Sequence, residues 1–155
     1  MASKLTTSIQ IAARPEQVFD YTQDYDKRLS WDTFLRIAQL EGAGRAAPGV
    51  KAWCVSKHGL GMETQYVSFK RPHVTAIKMT RGPFMFKTFA GSWKFDALEN
   101  TGTQVTFTYS WSLRFPFNLI GPILYQVLLS NVRQRLADLK NCIERESGAC
   151  NPVPA

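Results

Sequence analysis

Cysteine is scarce in this sequence, and its three residues, Cys54, Cys142 and Cys150, make no CxxC spacing. Any single bridge leaves one thiol over, which argues against a disulfide framework and for a reducing, cytoplasmic setting. Histidine is scarcer still. His58 and His73 both fall at predicted turns with no cysteine or carboxylate at ligand spacing beside them, so a zinc site has no support. No GxSxG, HExxH, Walker A or GxGxxG spacing occurs, which removes the hydrolase, metalloprotease, NTPase and dinucleotide signatures. No cofactor is expected. Cys54 lies mid-strand, where a small structural cysteine is the default over a nucleophile.

Long apolar runs are lacking as well. The uncharged stretch that begins at Phe115 is interrupted by Pro116, Asn118, Gly121, Pro122, Gln126 and Asn131. A membrane-spanning helix needs about 20 predominantly apolar residues, so none is expected. The opening residues, MASKLTTSIQIAARPEQ, hold no continuous apolar segment of the kind a signal peptide carries. Runs of one charge are also missing. The net charge is +7, yet Lys and Arg are dispersed, with no run longer than Lys27-Arg28 or Lys70-Arg71. Dispersed charge reads as a solvated surface, and nucleic acid is not an expected partner. Lys51, Lys57, Lys70, Arg71, Lys78, Arg81, Lys87 and Lys94 fall in the middle strands, where those on the wet face would suit transient contact with an anionic membrane.

What is present is one long helical pattern near the end. Leu124, Leu128, Val132, Leu136, Leu139 and Ile143 recur at steps of three and four and line one face. From Pro122 to Glu146 that helix would run about 37 Å at 1.5 Å per residue. It divides in two. From Val132 onward it has a single apolar stripe, whereas Pro122 to Leu129 is apolar nearly all round, interrupted only by Gln126. Outward-facing Ile123 and Val127 are surplus to covering a sheet and should meet a ligand, a membrane or a second subunit.

The chain before it reads mostly as strands. Leu5, Thr7, Ile9 and Ile11 alternate with polar residues over Lys4 to Ala12, the period of a half-buried strand. Arg14-Pro15-Glu16 opens a short helix, and Asp24 to Trp31 reads as a second short helix or turn. A meander follows: Phe34–Glu41, Val50–Lys57, Met62–Lys70, Val74–Arg81, Phe86–Leu98 and Thr103–Phe115. The last two strands alternate most clearly. Phe89, Gly91, Trp93 and Phe95 share one face of the first, and Val105, Phe107, Tyr109, Trp111, Leu113 and Phe115 one face of the second. One wet face and one dry face describe an antiparallel sheet. The expected α+β architecture is therefore a highly curved seven-stranded antiparallel sheet wrapped around a long C-terminal helix, with two short helices after the first strand. Residues 1–146 form one domain in this reading, and Ser147–Ala155 a disordered tail.

Several segments resemble the helix-grip (SRPBCC) superfamily, which includes START-like and polyketide cyclase/dehydrase-like proteins. The resemblance rests on Ala13-Arg14-Pro15-Glu16-Gln17-Val18-Phe19 at the first helix and on Asp24-Tyr25 through Trp31. Gly91-Ser92-Trp93-Lys94-Phe95 and Gly102-Thr103-Gln104-Val105-Thr106 are similar to its last hairpin. Its order spans Lys4 to Glu146, with one departure: no proline follows Trp31. The resemblance implies a cavity between sheet and long helix that takes an apolar small molecule.

Candidate residues for that cavity are Phe89, Trp93 and Phe95 on one strand and Phe107, Tyr109 and Trp111 on the next, joined by Tyr66, Leu124 and Leu128. Packing alone would account for any one aromatic; Tyr109 and Trp111 also bring polar atoms that need partners when buried. Two functions fit. One is binding or carrying a hydrophobic small molecule or lipid, as a monomer or homodimer. The alternative is a cyclase/dehydrase-like enzyme using general acid–base groups, for which Tyr66, Tyr109, His58 and Glu63 must converge on one cavity.

Overall fold

Residues 2–146 are described by a computed structural model. The expected disordered tail, and Cys150 with it, lies outside the described residues. Strand β1 (Ser3–Ile11) leads into helices α1 (Pro15–Gln23) and α2 (Tyr25–Trp31). Pro15 sits in the first turn of α1 beside Glu16, and Arg14 before it is extended, as a residue preceding proline must be. Asp24 ends α1 and starts α2, its carboxylate accepting the Asp26 backbone N–H at 3.0 Å.

Six strands then run back and forth: β2 (Leu35–Glu41), β3 (Lys51–Ser56), β4 (Gly61–Lys70), β5 (Val74–Arg81), β6 (Phe86–Ala97) and β7 (Thr103–Leu113). A 3-10 turn, Phe117–Ile120, precedes helix α3 (Gly121–Glu146). The strands form one antiparallel sheet in the order β1-β7-β6-β5-β4-β3-β2. Register shifts interrupt the β2–β3, β4–β5 and β6–β7 ladders, and each bulge bends the sheet. The shift at Val67 also reverses which residues of β4 point inward. Met62, Thr64 and Tyr66 face the interior before it and Phe69 after it, so Tyr66 and Phe69 meet with ring centroids 5.6 Å apart.

The inner face packs into two clusters. Val132, Leu136, Leu139 and Ile143 of α3 pack with Phe19, Trp31, Trp93, Phe95 and Phe107. Toward the other end, Leu5, Phe86, Phe89 and Trp111 pack with Leu124, Tyr125 and Leu128. A fully buried side chain of this size contributes about 1.5–3 kcal/mol. The two halves of α3 differ as the pattern required, with Ile123 68% and Val127 50% exposed. One placement is corrected: Phe115 is not on the dry face but 81% exposed, because β7 ends at Leu113 and the chain turns away before α3.

Candidate functional site

A cavity of about 170 Å³ opens on the inner face where the two clusters meet. Phe86, Phe89 and Tyr109 wall one side, Trp93 and Phe107 the other, and β3 to β5 supply Cys54, Met62, Thr64, Tyr66 and Ile77. The rings hold one another in place: Trp93–Phe107 and Phe107–Tyr109 meet edge-on at 4.6 Å, and Phe89–Tyr109 are tilted at 4.8 Å. Gly91 is part of this wall. A Cβ there would stand 3.2 Å from the Tyr109 ring, so the bare backbone lets that ring come close to β6.

Six of the nine residues expected from the sequence line this space: Tyr66, Phe89, Trp93, Phe107, Tyr109 and Leu128. The other three do not. Phe95 lies one pleat beyond Trp93 and packs edge-on to Phe19 at 5.3 Å. Trp111 is one pleat beyond Tyr109, buried against Tyr125, and Leu124 packs into the same cluster. The helix packs against the sheet at both ends and leaves room between them. Of the atoms needing partners, Tyr109 Oη has one, whereas Trp111 Nε1 is buried with none among the described residues.

One end of the cavity is charged. Asp32, which directly follows Trp31, is 0% exposed, and Arg28 of α2 and Arg135 of α3 converge on it at 7% and 6%. Arg28 Nε donates to Asp32 Oδ2 at 2.9 Å. Arg135 Nη2 donates to the same oxygen at 2.9 Å, and its Nε to Oδ1 at 3.1 Å. The Phe34 backbone N–H completes the set on Oδ1 at 3.2 Å. The remaining fork of Arg135 points into the cavity region, where Nη1 donates to the Tyr109 hydroxyl at 2.6 Å. Both guanidiniums also lie over aromatic faces, Arg28 over Trp31 at 5.1 Å and Arg135 over Phe34 at 5.4 Å. Burial works against the charge on all three groups, but their mutual attraction prevails. The Asp32 carboxyl is held below its ordinary value by Arg135 and then Arg28, and both guanidiniums are held above theirs by Asp32.

A neutral polar group stands nearby. Tyr66 Oη donates to Gln23 Oε1 at 2.7 Å and lies 3.3 Å from the Tyr25 hydroxyl. Burial raises the pKa of both phenols and of the Cys54 thiol, so all three are uncharged near neutrality and Cys54 is not an activated nucleophile.

The acid–base set does not assemble. Tyr66 and Tyr109 face the cavity, but His58 is exposed at the β3–β4 turn. Glu63 points to the opposite side of the sheet from its neighbours Met62 and Thr64. There it accepts from Thr80 Oγ1 at 2.7 Å and lies within 3.7 Å of Lys51 and 3.5 Å of Arg81. Among the described residues no three His, Cys, Asp or Glu side chains gather as a metal site.

Arg28, Asp32 and Arg135 are the residues that sequence reading passed over. One signal for them existed. Position 135 lies three beyond Val132 and four before Leu139, so Arg135 is a charge set into the apolar stripe of α3. Such a charge is buried only with a partner.

The order of strands, the paired short helices and the cavity under a long C-terminal helix define a helix-grip, START-like fold. The family described as polyketide cyclase / dehydrase and lipid transport matches residues 2–144, and the chain belongs to it. No curated protein sequence matches the chain. Among solved structures, the Zhui aromatase/cyclase from Streptomyces sp. R1128 is similar, with a TM-score of 0.83 at 14% identity over 99% of this chain and 100% of that one. A START superfamily protein from Mycobacterium smegmatis gives a TM-score of 0.77 at 11% identity, covering 92% and 97%. Norcoclaurine synthase from Thalictrum flavum, in complex with dopamine and hydroxybenzaldehyde, gives 0.72 at 8% identity, covering 94% and 88%. At these identities the likeness is one of fold. No helix among the described residues is long and apolar enough to cross a membrane.

Proposed function

We propose that this protein binds and carries a hydrophobic small molecule in the cavity between its sheet and α3. The observation that carries this reading is an apolar space of about 170 Å³ walled by Phe86, Phe89, Trp93, Phe107 and Tyr109. Apolar walls with a few placed polar groups are the usual composition of small-ligand sites. The free thiols Cys54 and Cys142 suit work in the cytoplasm. In the same reading the ligand is collected at an anionic membrane. Phe84, Phe115, Leu119 and Ile123 are exposed at one end, and Arg114 lies over the Phe84 ring at 5.1 Å.

Gentle purification followed by native mass spectrometry is the direct test. The protein should arrive with, or take up, an apolar small molecule, and Leu128→Trp, which fills the cavity, should abolish uptake. Empty protein that ignores every apolar probe offered would reject the reading.

One observation favours a catalytic second reading. The Tyr109 hydroxyl faces the cavity while accepting a hydrogen bond from buried Arg135, the arrangement of a positioned acid in a cyclase/dehydrase-like reaction. Turnover of a polyketide-like substrate that Tyr109→Phe eliminates without weakening binding would decide for it.

A further inference from the structure

The buried charges of the cavity do not balance. Arg28 and Arg135 contribute two positive charges and Asp32 one negative, and all three lie within one hydrogen-bonded group. The other side chains of the wall supply no compensating charge, since Tyr25, Tyr66 and Cys54 are held neutral by burial. Asp32 is also saturated. Its two oxygens already accept from Arg28, from two nitrogens of Arg135 and from the Phe34 backbone.

The donors divide unequally between the two arginines. Arg135 has Nε and both terminal nitrogens engaged. Arg28 donates only from Nε, and among the described residues its terminal nitrogens have no acceptor. Yet Arg28 is 93% removed from solvent, since 7% of its surface is exposed, and it forms part of the cavity wall. The terminal nitrogens are not among the buried atoms that lack a partner, so they keep some contact with water. An all-apolar ligand would strip that water and give no acceptor in return, which is unfavourable for a charged group. Tyr109 adds a further donor. Its oxygen accepts from Arg135, which leaves its own hydrogen to be given to a ligand.

From this geometry we propose that the cavity selects small apolar molecules carrying one anionic oxygen group, a monocarboxylate above all, with the carboxylate on the outer fork of Arg28 and the hydroxyl of Tyr109. The inference deepens the carrier reading and rests on it. The planar fork of an arginine matches two carboxylate oxygens at once. A single negative charge neutralises the excess, whereas a phosphate dianion would overshoot it. Size narrows the class again. About 150 Å³ of apolar space accepts a benzene-sized guest, so 170 Å³ suits one aromatic ring or a short branched chain with its head group. The rings of Trp93, Phe107 and Phe89 would flank the apolar body.

The experiment is calorimetric titration at neutral pH of the whole protein with benzoate and phenylacetate and with their uncharged counterparts, benzyl alcohol and benzamide. The carboxylates should bind about tenfold or more tightly than the neutral compounds, the difference expected for hydrogen bonds to a charged group. In Arg28→Met that preference should vanish while neutral binding persists. Equal affinity for charged and neutral compounds overturns the proposal and leaves the carrier reading standing. Binding of neither kind to the wild-type protein defeats both. A carboxylate preference that survives in Arg28→Met would place the anion on a group other than Arg28 and also overturn it. Should Arg28→Met fail to fold, carboxylate-dependent shifts of the Arg28 side-chain resonances in wild-type protein locate the anion directly; shifts elsewhere with Arg28 unmoved count against the proposal.

Discussion

Arg135 on α3 and Asp32 beyond α2 are 103 residues apart and meet in the interior at 2.9 Å, each almost wholly removed from water. This pair fastens the long helix to the two short ones, across the end of the cavity. Neutralising the acid should therefore do more than delete one contact. Asp32→Asn would leave two guanidiniums facing each other without a counter-charge, and breaking a buried pair in this way costs about 3–5 kcal/mol. Chemical denaturation measures the loss. A drop within the scatter of ordinary surface substitutions would show that the ionic group carries no net stabilisation.

The same carboxylate gives stability a pH dependence. Arg135 and Arg28 hold the Asp32 carboxyl below the ordinary carboxylate range in the folded protein, against the opposing effect of burial. A depressed folded value means that its contribution is full above about pH 4, where the unfolded group is ionised, and is lost as pH falls toward the folded value. Glu144 adds to this. Burial opposes its ionisation, but Lys140 and the Ala12 backbone N–H bring it below its usual value. Circular dichroism of unfolding as the pH is lowered should show a steep acid limb in the wild-type protein. Asp32→Asn should start lower and fall less steeply; a parallel curve would assign the acid limb to other groups.

Local pattern carried most of the fold. The alternation in β1, β6 and β7 and the stripe of α3 are consequences of one buried face, and they survive into the structure almost residue for residue. Periodicity says which face a residue takes but not how far a helix fills that face. Phe95 and Trp111 share a face with Trp93 and Tyr109 and still lie outside the cavity, because the short helices and α3 close over them. Glu63 was readable by the same rule. It alternates with Met62 and Thr64, so a side facing the cavity was never open to it. The ionic group was legible only in part. Arg135 interrupts an apolar stripe, but nothing local ties it to Arg28 and Asp32, and charged residues are ordinarily read as surface.

Tyr66 should matter to stability whatever the ligand is. Its hydroxyl is the hydrogen-bond donor to Gln23 Oε1 and the neighbour of the Tyr25 hydroxyl, both in the interior. Tyr66→Phe keeps the ring and its packing against Phe69 but strands the Gln23 oxygen. A buried acceptor left unmade costs about 1–3 kcal/mol, to be read from the urea midpoint. Tyr66→Leu should lose more, since the ring contact goes as well. A neutral Tyr66→Phe would mean that Gln23 finds another donor.

The two halves of α3 should answer substitution in opposite ways. Leu136 is buried among Trp93, Phe107 and the other residues of its cluster, and Leu136→Ala should lose about 2–5 kcal/mol through the space it leaves. Ile123 and Val127 project from the same helix but away from the sheet, so Ile123→Glu and Val127→Glu should each stay within about 0.5 kcal/mol of wild type. Their effect belongs elsewhere. A carboxylate at either exposed position should weaken sedimentation with vesicles rich in anionic lipid, because it opposes both apolar contact and the lipid charge. Global unfolding of either variant would put those side chains in the core after all. Unchanged folding with unchanged vesicle binding would remove the membrane from the proposed route of the ligand and leave the cavity itself untouched.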